Sequence, residues 1–156
     1  MIVSIAVDDA GWDGVPALEE LTRRAVEATV AHTGLAHENL ETDFLFTDDA
    51  TAASLNAEWR ERPYATNVLS FPAKNAPLPE GEARPLGDIV LAAGVMAREA
   101  AEQGKTLPHH ATHLIVHGLL HLMGYDHETD AEAAAMQDLE TRILKGLGIS
   151  DPYDRH

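Results

Sequence analysis

Three histidines in the stretch HGLLHLMGYDH, at positions 117, 121 and 127, are the residues of this chain whose type and spacing point most directly to chemistry. On an α-helix, positions four apart lie on one face about one turn apart, so His117 and His121 can aim two imidazoles at one point. Gly124 tolerates the left-handed conformation in which helices often end, and the turn through Tyr125 and Asp126 can swing His127 back to a third corner. Three neutral imidazoles leave the fourth position of a tetrahedron for water, which is the layout of a catalytic zinc site rather than a structural one. Imidazole also suits nickel, copper and ferrous iron, so other divalent transition metals stay open, with one Zn2+ as the default. A set of core or surface histidines with no ion fits poorly with this spacing, the glycine exit and the apolar neighbours together.

A zinc peptidase with this spacing carries Glu directly after the first histidine, as its general base. Here that place is Gly118. Phosphodiester hydrolysis needs charge stabilisation on phosphoryl oxygens and an activated nucleophile, and a single ion can serve both needs. A separate base is then less necessary. If one exists, His113 is the candidate, four residues before His117 on the same face, with a role bracing a ligand from behind, a substrate contact, or ordinary hydrogen bonds at the helix edge as the alternatives. Asp126 either orients a ligand imidazole or caps the following segment. His109 and His110 read as surface residues at a helix start.

These residues need elements to carry them. IVSIAV (2–7) reads as a strand and VPALEELTRRAVEATVAHTG (15–34) as a helix, with Pro16 in its first turn and Gly34 at its end. TDFLFT (42–47) is a second strand, and Thr47, Asp48 or Asp49 caps the helix ATAASLNAEWR. TNVLSFP (66–72) and LGDIVLAA (86–93) are two more strands, separated by a loop over 73–85 rich in Pro and Gly. Strand alternation allows at most one of Asn67 and Ser70 to face a cleft. Gly87 suits close backbone approach, and Asp88 reads as a buried carboxylate bracing the turn into its strand. Three helices follow, over 94–104, 108–124 and 130–148, and the middle one is so apolar that it should be central. The order β-α-β-α-β-β-α-α-α predicts an α+β fold. Its sheet has roughly four strands, with helices packed mainly on one side and the metal site on the central helix.

The chain has 156 residues, a length that suits a single domain spanning 1–156. No apolar run is long enough to cross a bilayer, and the acidic start lacks a secretory signal, so a cytoplasmic location with no membrane partner is expected. There is no cysteine, hence no disulfide or thiolate site. The net charge of -15 argues against loose, sequence-independent nucleic-acid binding, so a nucleic-acid substrate needs a local cation or basic groove. Nothing in the sequence sets the oligomeric state.

The histidine motif does not stand alone. LNAEWRERPYATNVLSFP (55–72), LGDIVLAAGVMAREAAEQGK (86–105), HATHLIVHGLLHLMGYDH (110–127) and EAAAMQDLETRIL (132–144) follow one another, and together they resemble the YbeY family of bacterial metal-dependent endoribonucleases. The family signature resembles H-G-x-L-H-L-x-G-Y-D-H, and this chain fits every fixed position. The resemblance implies a zinc-like ion on His117, His121 and His127, with Arg60 lining the same cleft. It also implies action on single-stranded RNA and a role in rRNA maturation at the 3′ end of the small-subunit RNA. Association with the small ribosomal subunit and with ribosome quality control belongs to the same expectation. Arg62 and Tyr64 in ERPYAT, and Gln137, depart from the usual family residues and bear on substrate contacts rather than on the ligands. With the resemblance, Arg60 is expected to hold a phosphate oxygen; alone it would read as a surface ion pair. The rival readings are a metallopeptidase-like hydrolase without its base, a non-catalytic metal-stabilised ribosome-associated factor, and a hydrolase of small phosphoesters.

Overall fold

The computed structural model describes residues 1–35, 39–60, 66–73 and 82–150, the side chain of Arg60 excepted. Four strands, β1 (Ile2–Val7), β2 (Leu40–Thr47), β3 (Val68–Pro72) and β4 (Arg84–Ala92), form one sheet in the order β1-β2-β4-β3. β1, β2 and β4 run parallel, while β3 lies antiparallel on the edge beside β4. Alternation along the strands splits the apolar residues between two faces. Phe44, Phe46, Ile89 and Leu91 face the larger core, and Leu69 and Val90 face a smaller one.

Four helices build the larger core: α1 (Leu18–Thr33), α3 (Ala93–Gln103), α4 (Leu107–Leu122) and α5 (Asp130–Gly146). α2 (Asp49–Arg60) covers the other face through Ala52 and Leu55. The expected α+β layout with helices mainly on one side is therefore what the chain adopts. α4 is the central helix: Ala111, Ile115, Val116, Leu119 and Leu120 are fully buried, and it packs against α1, α5 and β3. Thr106 caps its first turn by accepting the His109 N–H at 3.2 Å. Among the described residues, no helix is long and apolar enough to cross a membrane.

Some boundaries differ from those read in the sequence. α1 begins only after Ala17, whose φ of 53° interrupts the helix, so Pro16 lies outside the first turn. β3 starts two residues later than expected because Asn67 sits in a bend. Asp48 is the cap of α2, accepting the Thr51 N–H at 2.6 Å. A short 3-10 turn, Ala10–Gly14, went unread. It buries Trp12 edge-on against Phe46 and lets the indole N–H donate to the Thr47 carbonyl at 3.0 Å.

Gly87 permits the close approach expected of it. Its φ is +145°, and a Cβ there would lie 2.3 Å from the Phe71 carbonyl oxygen of the edge strand. Gly87→Ala is expected to cost roughly 3 kcal/mol or more, from strained backbone plus displacement of β3, read as a fall in denaturant midpoint.

Asp88 is not the buried brace expected. It is exposed on β4, in register with Asp43 of β2, since both side chains alternate to the outer face of the sheet. Partial desolvation, and then the facing Asp43 carboxylate, raise the Asp88 pKa above its ordinary value. A carboxyl whose folded-state pKa is raised contributes stability at low pH that is lost as pH climbs through that pKa. Asp88→Asn should therefore raise the melting temperature at pH 7, with the gain shrinking as the pH approaches 4.

Candidate metal centre

α4 delivers the first two histidines and its exit delivers the third. After Leu122 the chain is held by the Met123 N–H on the Leu119 carbonyl and the Tyr125 N–H on the Leu120 carbonyl, both at 3.0 Å. Gly124, at φ 99°, makes the bend. Asp126 then accepts the His127 backbone N–H at 2.7 Å, the local cap weighed for it. As a result one ring nitrogen from each of His117, His121 and His127 lies within 4.8 Å of the others. The Nε2 atoms of His117 and His121 are 3.1 Å apart. Two nitrogens on one tetrahedral zinc, with bonds of about 2.0–2.1 Å, stand about 3.3 Å apart, so the His117 and His121 pair already has the spacing of two ligands on such an ion. Burial first, then the neighbouring imidazoles of His117 and His127, lower the His121 pKa and keep the ring neutral, the form that binds a metal.

Glu140 is the residue that the sequence reading missed. Its carboxylate is fully buried on α5 and reaches α4 twice: Oε1 takes His117 Nδ1 at 2.5 Å, and Oε2 takes His113 Nε2 at 2.9 Å. With its Nδ1–H donated to Glu140, His117 presents a bare Nε2 to the other two histidines. A carboxylate behind a ligand imidazole fixes both tautomer and ring orientation. The signal was present: Met136, Leu139, Glu140, Ile143 and Leu144 are buried at helical spacing, so Glu140 is a charge on the apolar stripe of α5 and requires a partner.

A cleft of about 600 Å3 opens in front of the histidines, walled by Asn56 of α2, Thr66 to Ser70 with Pro72 from the edge-strand region, and Asp126 and Glu128 beyond α4. Both Asn67 and Ser70 line it, against the expectation of one at most. Asn67 precedes the first residue of β3, so strand alternation does not reach it. His113 does not line the cleft; it is 12% exposed and faces Glu140. His110, expected at the surface, is 2% exposed and bonded to Glu99 at 3.0 Å, because its side of α4 packs on α3. His109 is exposed as expected. Arg60 ends α2, four residues after Asn56, and its side chain lies outside the described residues, as do Arg62 and Tyr64.

The residue in the place of a peptidase's glutamate is packed rather than vacant. A Cβ at Gly118 would lie 3.1 Å from both Ile89 and Val68 and 3.3 Å from Ser70 Oγ. The Ser70 hydroxyl donates to the Gly118 carbonyl at 2.9 Å. A longer side chain there would have to displace the edge strand, so the position supplies no base to the cleft.

Comparison with known proteins gives the family and the fold. The family model described as Endoribonuclease YbeY matches residues 9–148. A protein named Endoribonuclease YbeY from Dinoroseobacter shibae is 51% identical, over 97% of this chain and 90% of that protein. One of the same name from Azorhizobium caulinodans is 47% identical, over 98% and 96%. The solution structure of TM1509 from Thermotoga maritima shares the fold at a TM-score of 0.58 and 21% identity, covering 99% of this chain and 100% of that one. A match across nearly the whole chain, joined to close relatives of one name, places the protein in the YbeY endoribonuclease family.

Proposed function

We propose that the chain, over 1–156, is a single metal-dependent endoribonuclease domain that hydrolyses phosphodiester bonds of single-stranded RNA. The observation that carries the reading is the convergence of three imidazole nitrogens, backed by a buried carboxylate, on a cleft with polar walls. Relatives that share about half of its residues bear the name endoribonuclease. We take the ion to be one Zn2+, held by His117, His121 and His127. When bound it would supply Lewis acidity at the phosphoryl group and make water a better nucleophile at neutral pH.

The chain's own residues do the rest. Glu140 keeps His117 in the tautomer that leaves Nε2 bare. Arg60 is read as the group that holds a non-bridging phosphate oxygen through its planar guanidinium. His113 is read as a positioning residue acting through Glu140, since it stands behind His117 and away from the cleft wall. The cation and Arg60 give the local positive charge that a chain of net charge -15 otherwise lacks for RNA. In the cell we place the protein in the cytoplasm, with the small ribosomal subunit as partner and with rRNA 3′-end maturation and ribosome quality control as its roles.

The test is cleavage of a labelled single-stranded RNA by chelated protein, by zinc-reconstituted protein and by Arg60→Ala, with end-group analysis. Cleavage that returns with zinc and falls about a hundredfold or more in the variant is expected, as for loss of one preorganised charge contact in a transition state. Cleavage indifferent to chelation, or metal-dependent cleavage of casein in its place, would overturn the reading.

A further inference from the structure

One partly buried network lies outside the histidine triad yet ends in the cleft. His110 on α4 is 2% exposed, and its Nε2 meets Glu99 Oε1 on α3 at 3.0 Å. Glu99 in turn accepts from Asn67 Nδ2 with both oxygens, at 3.0 and 3.2 Å. Asn67 Oδ1 accepts the Val68 N–H at 2.7 Å. Three elements thus converge on one amide in the cleft wall.

The network fixes which way that amide faces. Turning it over would bring Oδ1 against the Glu99 carboxylate and Nδ2 against the Val68 N–H, acceptor on acceptor and donor on donor. A primary amide has two N–H donors and two acceptor lone pairs. The two Glu99 oxygens lie on one side of Nδ2 and share one of its N–H groups, and Val68 takes one lone pair, so one donor and one acceptor of Asn67, a residue that lines the cleft, remain. Burial lowers the His110 pKa, so the ring is neutral, with its proton on Nε2 toward Glu99. Among the described residues nothing meets its Nδ1, so a second proton there would lack an acceptor. A neutral His110 adds no positive charge beside the Glu99 carboxylate, which lies 3.0 Å from the Asn67 nitrogen. An anionic phosphate is disfavoured beside that carboxylate. A neutral group that both donates and accepts is favoured, and in an RNA strand the ribose 2′-hydroxyl is such a group, the one that distinguishes RNA from DNA.

We propose that Asn67, held by Glu99 and His110, recognises a ribose 2′-hydroxyl and is a specificity-determining residue for RNA over DNA. This rests on the reading of the cleft as an RNA site. The test is equilibrium binding of labelled single-stranded RNA, and of DNA and 2′-methoxy RNA of the same sequence, with the bound RNA checked as intact on a denaturing gel. Wild-type protein should bind RNA about tenfold more tightly than either analogue, the worth of one well-placed hydrogen bond. Asn67→Ala should lower RNA affinity to the DNA level and leave DNA affinity unchanged. Because that variant also exposes the Val68 N–H, Glu99→Gln serves as the second: it frees the amide to turn over and should narrow the preference without moving DNA binding. Equal weakening of RNA and DNA would mark a structural role and overturn the assignment, as would an unchanged preference or none in the wild type. Binding of neither strand would overturn the RNA reading itself, and this inference with it.

Discussion

Replacing His121 with alanine should abolish cleavage while leaving the fold standing. The ring supplies one of the three converging nitrogens, and its Nε2 lies 3.1 Å from that of His117. With two imidazoles left, an ion of the zinc type loses a third of its protein ligands, and RNA cleavage is expected to fall about a thousandfold or more at ordinary zinc levels. His117→Ala should lose activity to the same degree and also lower stability. His117 donates to the buried Glu140 carboxylate, and leaving that charged oxygen short of a donor costs about 1–3 kcal/mol or more. The contrast between the two variants is the informative result. Melting temperatures that fall equally would mean that Glu140 does not depend on His117, and cleavage retained in either would remove the triad from the mechanism.

The second large effect is expected at Glu140. Glu140→Gln keeps the shape and can still accept from His117 Nδ1, but it removes the charge that strengthens the imidazole as a ligand. Zinc affinity, read by competition with a chromophoric chelator, should drop about 10–100-fold, with cleavage restored by excess zinc. Glu140→Ala leaves His113 and His117 without their carboxylate in a buried site and should melt far lower. Unchanged zinc affinity in Glu140→Gln would reduce Glu140 to a packing residue.

The histidine triad was legible in the sequence because its geometry is local. Two ligands sit one turn apart on a helix, and the third follows five residues after that helix ends. The central placement of α4 was legible too, since a helix apolar on nearly every side has only an interior to occupy. The groups behind the triad were harder to read. Glu140 comes 23 residues after its partner and on another helix, and only its place on an apolar stripe gave it away. His110 looked like a surface residue because it stands one turn into α4, and its burial depends on how α3 packs there. The pairing of Asp43 with Asp88 depends on β4 lying beside β2, a strand order that alternation along single strands does not encode. The Asn67 network fails to show for the same reason: its members are 32 and 11 residues apart and meet only in the folded chain.

The most direct test is a zinc titration of chelated protein, with cleavage of single-stranded RNA followed at each addition. If three histidines hold one catalytic ion, cleavage should be absent at the start, rise linearly and level off at one equivalent per chain in the wild type, and stay flat in His121→Ala. Cleavage already complete in the chelated protein, or rising identically in the variant, would contradict the proposed site.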